Sequence, residues 1–223
     1  MKAANRPALI TGDQIKNIAV RASSSDDSAA CANLVSGEGI SDSDGDRLKE
    51  SSTDASQMWL SEKGQTSGWL EFDLGQACKL DQMFVWNYNA KNRTVRGVKQ
   101  ADISVWTEQS GWQKVLDDYP FAEGEGAADY DEPVQVKLEG IEAQKVKFDE
   151  LVNFGDLQYV GLSQVQFFAP LIAPAQDAEA VVDISTDEET SGEKRNWIWV
   201  LSIFAAAAVL VFLVTRKQKQ ATG

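Results

Sequence analysis

The sequence contains no histidine among its 223 residues. Without an imidazole the chain cannot form a Ser-His or Cys-His nucleophilic pair, and it lacks the commonest zinc ligand. Acid or base chemistry would fall to carboxylates, lysine, tyrosine or cysteine. This absence argues against most hydrolytic enzymes, and the chain is predicted not to be an enzyme.

Cysteine is scarce as well, with only Cys31 and Cys78 in the chain. Two cysteines can form at most one disulfide bridge. A bridge and a pair of unconnected, partly buried thiols are both compatible with the sequence.

Basic residues are outnumbered, with 21 lysines and arginines against 34 aspartates and glutamates, and the formal net charge is −13. Nucleic-acid binding depends on clustered basic side chains that displace phosphate counterions. The charge balance therefore excludes nucleic acid as an expected partner and disfavours anionic lipid surfaces.

Long apolar runs are absent except for residues 197–215, which form an uncharged stretch of 19 residues that begins with Trp197 and contains Trp199. This length matches the roughly 20 residues that a helix needs to cross a bilayer core. Indole rings favour the headgroup region, and basic residues follow in the tail 216–223. The pattern predicts a single-pass membrane protein with a cytoplasmic C-terminus and an extracytoplasmic globular part.

Two further segments flank the globular part. Residues 170–196 are acidic and carry no aromatic side chain before Trp197, so they are predicted to form a disordered stalk. The lead segment 1–14 shows no apolar stretch typical of a signal peptide. Three explanations stay open: a start upstream of Met1, a fragment of a longer protein, or a cytoplasmic domain anchored by its tail.

Residues 15–169 alternate apolar and polar side chains over short runs, which is typical of β-strands. Leu70, Phe72 and Leu74 share one face, and residues 134–138 and 145–148 alternate in the same way. Residues 83–86 are apolar on both faces, as expected of a central strand. No amphipathic helix of usable length separates these runs, so an all-β antiparallel sandwich is predicted.

Several short motifs occur in an order that resembles a known family. They are Asn33-Leu-Val-Ser-Gly37, Met58-Trp-Leu-Ser61, Trp69-Leu-Glu-Phe-Asp-Leu-Gly75, Trp86-Asn-Tyr-Asn89, Arg96-Gly-Val-Lys99 and Gly161-Leu-Ser-Gln-Val-Gln-Phe167. The series resembles the discoidin family, the coagulation factor V/VIII type C domains of the galactose-binding-like superfamily. The resemblance implies a jelly-roll β-sandwich whose end loops hold a ligand, commonly a sugar.

The loop after the central strand is the best local match to a sugar site, because amide and guanidinium groups hydrogen-bond hydroxyls in fixed geometry. Asn89, Asn92 and Arg93 are the predicted polar contacts, with Trp59 or Tyr130 as the stacking ring. An ordinary solvated loop is the competing interpretation.

A calcium site is the second candidate. The resemblance implies a structural calcium near the turn after Asn33 and at the closing strand, where this chain has the neutral residues Ser36 and Gln164. Losing two carboxylates weakens a site for a hard cation unless Asp42 or Asp44 compensates. No cofactor is therefore expected, and these five residues are the candidate ligands if calcium binds.

The sequence thus favours a membrane-anchored, non-catalytic module that recognises carbohydrate or a glycosylated surface. Two alternatives stay open. The same loops could contact a protein partner as an adhesion domain, or the sandwich could be an accessory module at the end of a larger secreted enzyme.

Overall fold

The computed structural model describes residues 12–42 and 49–170. Within these ranges the chain forms ten strands, one short α-helix and two 3-10 turns, at Ala55–Gln57 and Thr94–Arg96. Every pairing between strands is antiparallel, which confirms the all-β prediction. The elements are β1 (Asp13–Gln14), β2 (Ala19–Ala22), α1 (Asn33–Ser36), β3 (Ile40–Ser41), β4 (Glu50–Ser51), β5 (Trp59–Leu60), β6 (Leu70–Asn87), β7 (Val98–Thr107), β8 (Gly111–Pro120), β9 (Val134–Asn153) and β10 (Gly161–Ala169).

The two long strands β6 and β9 connect the two layers of the sandwich. The first part of β6 pairs with β2 and with the end of β9, which continues to β7 and β8. The second part of β6 pairs with β10 and with the start of β9. The register shifts between Asp73 and Cys78, and bulges of this kind let one strand bend from one layer into the other.

The core lies between the layers and is formed by the alternating apolar positions predicted from the sequence. Phe72 of the first layer packs against Phe167 of the second, with their ring centroids 5.2 Å apart. Phe148 also contacts Phe72, at 5.4 Å. All three rings are fully buried, and burying a side chain of this size contributes about 2 kcal/mol.

The predicted central strand is confirmed. Residues 83–86 are completely buried, with Met83 and Val85 in the main core. Phe84 and Trp86 point to the opposite side of the sheet, where they pack with Tyr130 and Phe168 in a second cluster. A strand with apolar side chains on both faces needs such cover on both sides.

Other predictions from the sequence fall outside the described residues. These are most of the acidic stalk 170–196, the apolar run 197–215 and the basic tail 216–223. Within residues 12–42 and 49–170, no helix is long and apolar enough to span a bilayer. Anchoring in a membrane and the domain boundaries remain predictions.

Cys31 and Cys78 are both free thiols, so no disulfide joins them. Cys31 lies against the Val20 carbonyl oxygen, and Cys78 lies against the Ala143 carbonyl oxygen, each at 3.7 Å. Both side chains are only partly buried. Burial still raises the pKa of the Cys78 thiol, which keeps it in the neutral form at neutral pH.

Candidate functional site

Three loops meet at one end of the sandwich. They are residues 88–97 between β6 and β7, residues 121–133 between β8 and β9, and residues 154–160 between β9 and β10. The Thr94 hydroxyl donates to the Glu123 carboxylate at 2.6 Å, and the Phe154 amide donates to the Val95 carbonyl at 3.1 Å. We call the surface formed by these three loops the loop end.

Asn89 anchors the loop end from inside. Its side chain is fully buried, and its amide nitrogen donates to three carbonyl oxygens, those of Ser51 at 2.9 Å, Ser52 at 3.2 Å and Ala127 at 2.8 Å. Its amide oxygen accepts from the Gly126 backbone at 2.7 Å. Every hydrogen-bonding group of this side chain is used within the protein. These contacts give Asn89 a structural role, and its contact with a ligand stays an untested prediction.

Asn87 has a similar role that the sequence analysis did not identify. Its buried amide nitrogen donates to the carbonyl oxygens of Val98 and Ala122, both at 2.6 Å, and its oxygen accepts from the backbone amides of Tyr88 and Val98. A Cβ atom at Gly97 would lie only 2.5 Å from the Asn87 oxygen, so this close approach requires glycine. The signal available in the sequence was two asparagines bracketing Tyr88 at the end of an apolar strand.

The two predicted stacking rings are buried. Trp59 has no exposed surface, and its indole N–H donates to the Ser24 carbonyl at 3.1 Å. Tyr130 is 2% exposed and accepts a hydrogen bond from the Asn87 amide at 3.3 Å. Burial raises the pKa of Tyr130 to about 12. Both rings belong to the packed interior, and stacking of either one on a ligand stays an untested prediction.

Asn92 and Arg93 lie on the exposed surface of the loop end. Asn92 has a left-handed backbone with φ of 60°, a conformation that asparagine tolerates better than most residues. The Arg93 amide donates to the Ala90 carbonyl at 3.0 Å, which closes the turn. The backbone thus holds both side chains outward on a fixed turn, and their role in ligand binding remains a prediction.

Arg96 braces the loop end with a partly buried guanidinium. Its Nε lies 3.2 Å from a carboxylate oxygen of Asp156, and its guanidinium carbon lies 4.4 Å from the centre of the Tyr159 ring. Burial would raise the pKa of Asp156, but hydrogen bonds from Gln158, Arg96 and the Tyr159 backbone outweigh it and lower the pKa. This combination of a fork-shaped donor and ring contact is specific to arginine.

Tyr159 is a partly exposed aromatic ring at the loop end that was not among the residues predicted from the sequence. The ring is partly buried against a small apolar cluster beneath the loops that contains Met58, Leu60 and Tyr88. An isolated tyrosine in a polar loop is a common surface residue, so the sequence position of Tyr159 did not indicate a role in ligand binding.

The carboxylates on strand β6 do not form a catalytic pair. Glu71 and Asp73 lie on the outer face of the sheet, and the Lys145 ammonium lies 3.4 Å from the first carboxylate and 3.8 Å from the second. Arg21 also pairs with Glu71, at 2.6 Å. Carboxylates paired with basic side chains on the outer sheet face are typical of a solvated ion-pair network.

Comparison with known proteins identifies a similar family. Residues 42–148 match the family described as NedA-like, galactose-binding domain, a member of the F5/F8 type C group. This part of the chain is therefore similar to F5/F8 type C, galactose-binding-like domains. The family resemblance predicted from the order of the sequence motifs is confirmed.

Three solved structures are similar to this chain in fold. The lectin domain of lectinolysin, complexed with Lewis B antigen, has 18% identity and a TM-score of 0.50, covering 72% of this chain and 99% of that one. The family 32 carbohydrate-binding module of Clostridium perfringens NanJ, in complex with galactose, has 13% identity and a TM-score of 0.49, with 70% and 97% covered. A Streptococcus pneumoniae fucose-binding module, SpX-3, has 15% identity and a TM-score of 0.46, with 70% and 96% covered.

At these levels of identity the likeness shows the fold alone. Among curated proteins, no sequence matches this chain. The ligand of this domain must therefore be argued from its own residues.

The calcium site implied by the family does not fit the residues present. Asn33 uses its side-chain amide to donate to the carbonyl oxygens of Ser56 and Met58, at 2.8 and 2.9 Å. The Gln164 amide nitrogen donates to the Asn33 carbonyl at 2.6 Å, so a hydrogen-bond donor faces an oxygen that a cation would need. The remaining candidates are Ser36 and Asp42, both exposed, and Asp44, which lies outside the described residues.

The distribution of acidic and thiol side chains agrees with this conclusion. Within residues 12–42 and 49–170, no group of three or more acidic, histidine or cysteine side chains could hold a metal ion. Calcium requires six to eight oxygen ligands, with carboxylates supplying most of the charge. The set at Asn33, Ser36 and Gln164 supplies neutral groups only.

Proposed function

We propose that this domain is a non-catalytic module that binds carbohydrate through the loop end. The observation that carries the proposal is that the exposed side chains of Asn92 and Arg93 belong to a loop whose backbone is held in place by buried hydrogen bonds. Asn87 and Asn89 fix the loop from below through eight hydrogen bonds in total. A preorganised site loses less entropy on binding than a flexible loop does.

The chemistry of the loop end suits a sugar. A guanidinium and a primary amide donate several hydrogen bonds in fixed directions, and the Glu123 carboxylate beside Thr94 can accept them from hydroxyls. The Arg96 guanidinium lies over the Tyr159 ring, and the part of the ring that stays exposed can contact C–H groups of a pyranose. The lectin domain of lectinolysin, which is similar in fold and was solved with Lewis B antigen, supports the choice of ligand class.

The experiment compares glycan binding by the full chain and by two matched variants. The full chain is applied to an array that includes galactose-terminated, fucosylated and Lewis-type glycans, and the best binder is titrated by calorimetry. Arg93→Ala should weaken binding about tenfold or more, because each charge-assisted hydrogen bond contributes about 1.5 kcal/mol. Arg21→Ala removes an arginine from the outer sheet face and should leave the affinity unchanged.

Two results would count against the proposal. One is that the folded full chain binds none of the glycans on the array. The other is equal loss of affinity in Arg93→Ala and Arg21→Ala, which would indicate attraction by overall charge rather than a site at the loop end.

A protein partner is the second candidate, and one observation favours it. Leu157 is 91% exposed, and Val95, whose carbonyl accepts from the Asp156 amide, is 42% exposed. Exposed apolar side chains beside an arginine are common at protein interfaces. If the ligand is a sugar held at Asn92 and Arg93, Leu157→Ser should leave the glycan affinity unchanged. If the ligand is a protein that contacts Leu157, the same substitution should abolish binding of that protein.

Attachment to a membrane through residues 197–215 completes the proposal and is supported by the sequence alone. On that arrangement the acidic segment before it would hold the sandwich away from the lipid surface. Extraction of the full chain from membranes by detergent but not by alkaline carbonate is the expected result.

A further inference from the structure

The turn containing α1 is held to the sandwich by side-chain amides. Gln164 reaches from β10 and donates to the Asn33 carbonyl at 2.6 Å, although the two residues are 131 positions apart. Asn33 in turn donates to the carbonyl oxygens of Ser56 and Met58, so three distant segments meet at this point. These hydrogen bonds attach the turn to the rest of the sandwich without a bound ion.

The orientation of the Gln164 amide follows from its partner. A carbonyl oxygen can only accept, so the nitrogen must face Asn33, and the opposite orientation would place two oxygens against each other. Gln164 is 1% exposed, and its amide oxygen is buried without a hydrogen-bond partner. A Cβ atom at Gly39 would lie 3.5 Å from the Gln164 nitrogen and 2.9 Å from the Gln57 carbonyl, so the neighbouring chain is also closely fitted.

The charges around Gln164 oppose a cation. A cavity of about 130 Å³ lies beside it, lined by Gln166 and by two lysines, Lys16 and Lys49. Among the described residues that line the cavity, none is an aspartate or a glutamate. A divalent ion placed here would gain no carboxylate and would lie near two ammonium groups.

We infer that the Gln164 amide takes the place of a structural cation, so that this domain is stable without calcium. The N–H group supplies the positive partner that the Asn33 carbonyl needs, as a bound ion would. One substitution should then restore the requirement. Gln164→Glu places a carboxylate oxygen against the Asn33 carbonyl, and either a cation between them or protonation of the carboxyl group relieves the repulsion, so the test is run at about pH 8.

The test measures thermal unfolding of the full chain in millimolar calcium chloride and in EDTA. The wild type should unfold at the same temperature in both solutions, because a ligand stabilises only a protein that binds it. Gln164→Glu should unfold roughly 10 °C lower in EDTA and recover part of that loss in calcium. Gln166→Glu is the matched control, since Gln166 is also buried and lines the same cavity. It should be destabilised in both solutions alike.

Three outcomes would overturn the inference. The first is a wild-type unfolding temperature that rises in calcium or falls in EDTA. The second is a Gln164→Glu chain that is equally unstable in both solutions, including one that fails to fold in either. The third is an equal calcium response in the Gln166→Glu control, which would show a general effect of added acid groups.

Discussion

Replacing Asn89 by alanine tests whether this side chain is structural. The substitution removes four hydrogen bonds, three donated by the amide nitrogen and one accepted by the oxygen. Each contributes about 1 kcal/mol net, and the backbone groups left unpaired in a buried site add to the loss. We therefore expect Asn89→Ala to lower the free energy of unfolding by about 4 kcal/mol or more.

The assay is urea unfolding of the full chain followed by circular dichroism, comparing midpoints and slopes. Asn92→Gly is the matched control, because Asn92 is exposed and its φ of 60° suits glycine. That control should change stability by less than about 0.5 kcal/mol. The reasoning would be refuted if Asn89→Ala changed stability by less than about 1 kcal/mol while weakening glycan binding.

Two further predictions concern pH. The pKa of Asp102 is lowered by a hydrogen bond from the Asp118 backbone and by the Lys114 ammonium, 2.5 Å from its carboxylate. The ionised Asp102 stabilises the fold above the ordinary carboxyl pKa of about 4, and this stabilisation is lost as the pH falls toward the lowered pKa. The unfolding temperature of the wild type should therefore drop more steeply below about pH 4 than that of Asp102→Asn. Parallel curves for the two proteins would contradict this. Burial raises the pKa of Tyr130 to about 12, so an absorbance titration of the folded protein should show a late tyrosine that Tyr130→Phe removes. Titration of all tyrosines near 10 would contradict the buried environment.

The sandwich could be predicted because its signal is periodic. Leu70, Phe72 and Leu74 alternate with polar residues, and the structure buries all three. The central strand at residues 83–86 was also correct, since a run that is apolar on both faces must be covered on both. Hydrophobic period fixes which face of a strand is buried, and burial is the largest favourable term in folding.

The candidate site was only partly predictable. Asn89 and Asn92 are three positions apart in one polar loop, yet the first is buried and the second exposed. Asn89 is buried because distant segments of the chain place carbonyl oxygens around its side chain. The local sequence does not predict where those segments lie. Trp59 shows the same limit, because an aromatic residue in a short motif suits a core and a sugar site equally well.

Gln164 shows where the sequence pointed to the right place and left the chemistry open. The family motifs brought this residue and the Asn33 turn together as a calcium site, and the structure does place their atoms 2.6 Å apart. The neutral side chain changes the interaction from ion coordination to an amide hydrogen bond. A single residue identity therefore decided the chemistry of the contact, while the fold decided its location.

The most direct test of the account is to locate the bound sugar. A galactose titration of the full chain, followed by backbone amide NMR shifts, should move signals from residues 91–96, 122–129 and 154–159 and leave the outer sheet face around Trp106 and Trp112 unchanged. Shifts confined to that sheet face, or no shifts with galactose or with the best glycan from the array, would contradict a binding site at the loop end.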